Sequence, residues 1–161
     1  MKPYQLDLFI DGWFFNEPHA VIDQALDLLS KTFKKRDVTM DSSEAVKKYC
    51  RLKLASKEHE VFSVLFLDNQ HRLIEFKELF RGTIDGCSVY IREAAKEALK
   101  RNSAAVIFAH NHPSCMFEPS HADIGITKEL QKALGLFDVR VLDHLVVGVD
   151  GAVSLAERGL I

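Results

Sequence analysis

The chain has 161 residues, 47% of them apolar and 27% charged, with a formal net charge of −2. That length suits one folded domain with a short extension, and the composition excludes disordered, collagen-like and coiled-coil classes. No apolar run approaches the roughly 18 residues of a membrane span, no basic-then-apolar leader opens the chain, and the charge balance is not that of a polyanion binder. Cys50, Cys87 and Cys115 are odd in number and widely spaced, which speaks against a disulfide framework and for a reducing, cytoplasmic setting.

In chain order, the first predicted element is a helix over 18–33, with Val21, Ala25, Leu28 and Leu29 as its apolar stripe. A second helix is expected to start at Asp41, where Asp41 and Glu44 have capping-box spacing, and to run to about Ala55. Residues 1–55 then form an N-terminal helical extension. Residues 31–57 carry nine basic side chains (Lys31, Lys34, Lys35, Arg36, Lys47, Lys48, Arg51, Lys53, Lys57) against three acidic ones. Such a run is either a solvated helix face or a surface for nucleic-acid phosphates.

From residue 56 the pattern changes, and 56–161 reads as one α/β domain. Val61 to Leu67 is apolar on both alternating faces, as a strand covered on both sides must be. Asp68-Asn69-Gln70-His71 is turn chemistry, and Arg72 to Phe80 is the returning strand. Ser88 is placed to cap a helix to about Arg101, with Val89, Ala94, Ala95 and Leu99 inward. Ala104 to Ala109 is a third strand, 120–136 a helix, Val139 to Val147 a strand, and Gly151-Ala152-Val153-Ser154 a short ending. This order predicts an α/β fold with a mixed β-sheet flanked by helices.

The chemistry concentrates in residues 109–123. His110 and His112 end a buried strand, and residues two apart on a strand share a face. Ser120 and Asp123 are three apart at the start of a helix, also on one face. Two imidazoles and one carboxylate form a catalytic ligand set for zinc, with the fourth tetrahedral position left to water. Ser120 and Asp123 also have the spacing of a helix cap, and one carboxylate can serve both purposes. The zinc-deaminase pattern (His-x-Glu with Pro-Cys-x-x-Cys) and His-Glu-x-x-His do not occur in the chain.

The pattern His-x-His-x7-Ser-x2-Asp resembles the signature of the JAMM (MPN+) zinc metalloproteases. Its surroundings are similar to the RadC-like branch: His-Asn-His-Pro-Ser (110–114), Arg-Val-Leu-Asp-His (140–144), Leu-Phe-Leu-Asp-Asn (65–69) and Leu-Phe-Arg-Gly-Thr (79–83). The resemblance spans about residues 56–155 and suggests a short form without the helix-hairpin-helix module. It implies a JAB/MPN-type, cytidine-deaminase-like core and Zn2+ held by His110, His112 and Asp123. It further implies an oxyanion-stabilising Ser120, an upstream glutamate as general base, and hydrolysis of a peptide or isopeptide bond in a protein or peptide substrate. Glu60, 50 residues before His110 and directly ahead of the Val61 strand, is the expected base, with Glu58 as competitor on the same strand face.

Two questions stay open at this level. Cys115 stands where RadC-like sequences commonly have glycine, and a thiolate there would close the zinc site if it reached the metal. Asp143 and His144 either orient a ligand or simply pack at a strand end. The loops 68–71, 81–88 and 113–119 would carry substrate specificity, but their side chains name no substrate.

Overall fold

The computed structural model describes residues 9–10, 13–14, 18–34, 40, 42–83, 87–113 and 117–161. A two-stranded antiparallel pair, β1 (Phe9–Ile10) and β2 (Trp13–Phe14), precedes helices α1 (Pro18–Lys34) and α2 (Ser43–Leu54). The main sheet is built from β3 (Val61–Leu67), β4 (Leu73–Arg81), β5 (Ala105–Asn111), β6 (Arg140–Val147) and β7 (Ala152–Ser154). Helix α3 (Ile91–Lys100) links β4 to β5, and α4 (His121–Gly135) links β5 to β6. The strand order is β4-β3-β5-β6-β7. Only β5 and β6 pair in parallel, as a connection through a helix requires, whereas the other neighbours are antiparallel. This is the mixed sheet flanked by helices that the sequence predicts.

Two cores lie on the two faces of that sheet, separated by side-chain alternation along the central strands. One face buries Leu65, Leu67, Ala105, Ile107 and Leu145 against Val46, Tyr49, Cys50 and Leu54 of α2, with Leu26 of α1 beyond. The other buries Phe62, Val64, Phe66, Val106 and Phe108 against Ala94, Ala95 and Ala98 of α3 and Leu130 and Leu134 of α4. Every residue of β3 and β5 is buried. The unbroken apolar runs reflect their central positions, with helices on both faces.

Several local expectations are corrected. In α1 the inward stripe is Ile22, Leu26 and Leu29, while Val21 and Leu28 face solvent. The frame is shifted one residue, because the stripe that counts is the one facing α2. Helix α2 is capped by Ser42, whose hydroxyl accepts from Ala45 N–H; Asp41 lies outside the described residues. Helix α3 begins at Ile91 without a side-chain cap, so Ser88 does not cap it, and Leu99 is exposed while Ala98 fills the core. The turn after β3 forms as expected: Asp68 Oδ1 accepts from the backbone of Gln70 and Arg72, and His71 takes φ of 58°.

Much of the basic segment has partners within the chain. Lys47 pairs with Glu157 and Lys57 with Glu78, Arg51 donates to the Val149 carbonyl, and Lys53 lies over the Phe76 ring. The side chains of Lys31, Lys34, Lys35 and Arg36 lie outside the described residues. Among the described residues no helix is long and apolar enough to cross a membrane.

Candidate metal centre

Strand β5 carries His110 to the end of the sheet, on the face covered by α3 and α4. His112 lies one step past the strand but stays in register with β6, its N–H donating to the Val147 carbonyl. Pro113 has no N–H with which to continue the ladder. The two imidazoles therefore emerge on one side, with Nε2 atoms 2.9 Å apart. Helix α4 returns over this face with its N-terminus at the same point. Asp123 Oδ1 lies 3.3 Å from His110 Nε2, and Oδ2 lies 3.7 Å from His112 Nε2.

Among the described residues, His110, His112 and Asp123 form a group able to hold a metal ion. The spacing can be tested against coordination chemistry. Tetrahedral bonds of about 2.0–2.1 Å place ligand atoms roughly 3.3 Å apart. The His110–His112 separation of 2.9 Å and the His110–Asp123 Oδ1 separation of 3.3 Å lie near that edge, and one ligand atom from each of the three residues falls within 4.8 Å of the others, so the residues fit a metal ion.

The helix-cap reading of Ser120 and Asp123 also holds. Ser120 is the N-cap, and its hydroxyl accepts from Asp123 N–H at 3.1 Å. Asp123 Oδ2 in turn accepts from the Ser120 N–H and hydroxyl, each at 2.7 Å. The cap thus occupies Oδ2 and turns Oδ1 toward His110. One oxygen of the carboxylate thus serves the cap, and the other is left where it could hold a metal.

Behind the ligands lies a buried polar chain that the sequence did not resolve. His110 Nδ1 lies 2.8 Å from His144 Nε2, His144 Nδ1 lies 2.5 Å from Thr127 Oγ1, and Thr127 donates to the Asp123 carbonyl at 2.5 Å. His110, His144 and Thr127 are all buried. Burial pushes the His110 imidazolium down to about 4, a drop that Asp123 opposes and His112 reinforces. Burial, with the neighbouring His110 and His112, likewise holds His144 well below its ordinary value. Burial thus favours the neutral form of both rings, and for His110 that is the form in which it could hold a metal.

Asp143 and His144 divide their work. Asp143 turns away from His110: it accepts from the Ser154 hydroxyl and the Ala156 N–H, tying β6 to the chain after β7. The Thr127 contribution carried no sequence signal, since a threonine inside a helix is ordinarily unremarkable.

Glu60 stands at the mouth of the same site. Its N–H donates to the Thr83 carbonyl and its carbonyl accepts from Gly82 N–H, so it extends the β3–β4 pairing by one step. The antiparallel register of β3 and β5 runs Phe62 to His110 and Ser63 to Ala109. Continued past the strand ends, that register sets Glu60 opposite His112. Burial raises its carboxyl above the usual range, His112 pulls it down and Asp123 pushes it up again. Glu58 is exposed.

Asn111, between the two histidines, points to the opposite face. Its Oδ1 accepts from Val61 N–H at 2.9 Å, and its Nδ2 donates to the carbonyls of His59 and Lys57 at 3.0 and 3.3 Å. It thereby ties the segment bearing Glu60 to the strand bearing the histidines. Cys115 lies outside the described residues.

A helix-flanked mixed sheet presenting His-x-His from a central strand and Asp from the following helix defines a JAB-type domain with a candidate metal centre. Comparison with known families agrees: the chain belongs to the RadC-like JAB domain family, whose model matches residues 40–160. It is 60% identical over 141 residues to a UPF0758 protein of Vibrio cholerae serotype O1, covering 88% of each chain. A UPF0758 protein of Cellvibrio japonicus is 58% identical over 140 residues, which is 87% of this chain and 62% of the relative. One of Marinobacter nauticus is 49% identical over 146 residues, 91% of this chain and 65% of the relative. The chain thus spans about two thirds of the length of these last two relatives.

Proposed function

We propose that the protein is a zinc-dependent hydrolase of peptide or isopeptide bonds. The observation that carries this reading is the convergence of His110, His112 and Asp123, with the two Nε2 atoms 2.9 Å apart and Asp123 Oδ1 3.3 Å from His110 Nε2. Two imidazoles and one carboxylate leave one tetrahedral position for a water, the arrangement of catalytic rather than structural zinc. Zinc bound there would supply a Lewis acid that polarises a carbonyl and activates water near neutral pH.

The chain's own residues account for the remaining requirements. Glu60, its carboxyl raised by burial, is suited to take a proton from the attacking water and return it to the leaving amine. The Ser120 hydroxyl, now donating to Asp123 Oδ2, lies at the exposed rim. Rotation about its Cα–Cβ bond would turn the proton toward an oxygen developing negative charge. The net reaction adds water across an amide, giving a carboxylate and an amine without an acyl-enzyme.

The test is zinc titration of chelator-stripped protein, followed by incubation with a peptide and isopeptide pool read by mass spectrometry. One zinc per chain and defined cleavage are expected, both lost in His112→Ala. No zinc uptake rejects the metal centre, and uptake without cleavage rejects the hydrolase in favour of a structural site.

A further inference from the structure

The polar chain behind His110 has a direction, set by its far end. The Asp123 backbone carbonyl has no proton and can only accept. Thr127 has one hydroxyl proton and spends it on that carbonyl, at 2.5 Å. Toward His144 Nδ1, also 2.5 Å away, the Thr127 oxygen must therefore accept, so His144 carries its proton on Nδ1. A neutral imidazole has one N–H, which leaves His144 Nε2 bare. That atom accepts from His110 Nδ1 at 2.8 Å. The proton of His110 is thus committed to Nδ1, and its Nε2 lone pair points at His112 and Asp123.

We propose that Thr127 and His144 are positioning residues that fix the tautomer of His110, presenting a bare Nε2 to the metal site before any metal arrives. The opposite direction would have Thr127 donate to His144 Nδ1 and would leave two acceptor oxygens, Thr127 Oγ1 and the Asp123 carbonyl, 2.5 Å apart with no proton between them. A merely packed histidine would need neither partner aligned. Here both ring nitrogens of the fully buried His144 are within hydrogen-bond distance of a partner, and its ring is set edge-on to Phe62 at 5.4 Å. One residue of α4 also anchors both ends of the arrangement: Asp123 offers its carboxylate to the site and its carbonyl to the chain that orients His110. A shift of α4 would move ligand and relay together.

The consequence for affinity rests on the metal reading above, but the tautomer does not. Loss of an outer partner of a metal-bound histidine typically lowers metal affinity by about 10- to 100-fold. Thr127→Val keeps the shape and removes the hydroxyl, so His144 no longer has a fixed direction to transmit.

Imidazole 15N spectra of metal-free protein should show His110 protonated at Nδ1, with Nε2 in the bare form. Thr127→Val should lose that preference and bind zinc about 10- to 100-fold more weakly in competition with a chelator, with unchanged helical content. Thr127→Ser should restore both. His110 protonated at Nε2 in the wild type, or Thr127→Val with tautomer and affinity unaltered, would overturn the proposal. Wild-type protein showing the Nδ1 proton but no zinc affinity would support the relay while removing the hydrolase reading.

Discussion

At the scale of single residues, the two carboxylates of the site are held in different ways. Asp123 is bound into the helix start by the Ser120 N–H and hydroxyl. Glu60 lies where burial and Asp123 favour the protonated form and His112 favours the ionised one. In the hydrolase proposed above, a carboxyl under such opposing influences suits proton transfer, and a carboxylate held in place by a helix cap suits ligation. Glu60→Gln keeps the size and removes the proton-transfer capacity. It should leave zinc stoichiometry at that of the wild type while lowering peptide cleavage by about 100-fold or more. Unchanged cleavage would reject Glu60 as the base.

At the scale of elements, the site depends on the register of β3 against β5, and Asn111 fixes that register at its open end. Three hydrogen bonds from this one buried side chain reach Val61, His59 and Lys57. Asn111→Ala would leave the Val61 N–H unpaired in the interior, at a cost of about 1–3 kcal/mol. Urea unfolding should show that loss. Cleavage should fall further than zinc affinity, because Glu60 loses its tether while the β5–β6 and α4 frame of the ligands remains. An unchanged urea midpoint would show that the tether carries no stability. This dependence also explains what was legible in sequence. The runs at 61–67 and 105–111 are apolar on both faces because both strands are central, so the sheet could be read directly. His110, His112 and Asp123 were legible because strand and helix periodicities are local. Thr127 and Asn111 were not, since each acts through partners distant in sequence or through backbone atoms with no residue-type signature. The α1 stripe and the α3 start were misplaced for a related reason: which helix face turns inward is decided by the neighbour it packs on.

For the whole molecule, the neutral histidines that prepare the site make the metal-free fold sensitive to acid. His110 is held down to about 4 from an ordinary 6.5 by burial, and His144 is lowered in the same way. Above pH 6.5 these rings are neutral in folded and unfolded chains alike and contribute nothing to pH dependence. As pH falls below 6.5 the unfolded chain takes up protons that the folded chain refuses, so stability declines until the folded value is reached. His110 alone would cost about 2 kcal/mol at pH 5. Glu97, lowered to about 2 by Lys77 and Arg101, adds a loss of the same sign, beginning near 4.5 and continuing as pH falls to about 2. Chelator-stripped protein should therefore show a urea midpoint that drops between pH 7 and pH 5, before carboxylates titrate appreciably. Saturating zinc should raise the midpoint at pH 7 and steepen its fall with acid, since protons and metal compete for the same nitrogens. A metal-free midpoint that stays level from pH 7 to pH 5 would show that the buried rings do not resist protonation, and would remove the electrostatic basis for a neutral, metal-ready His110.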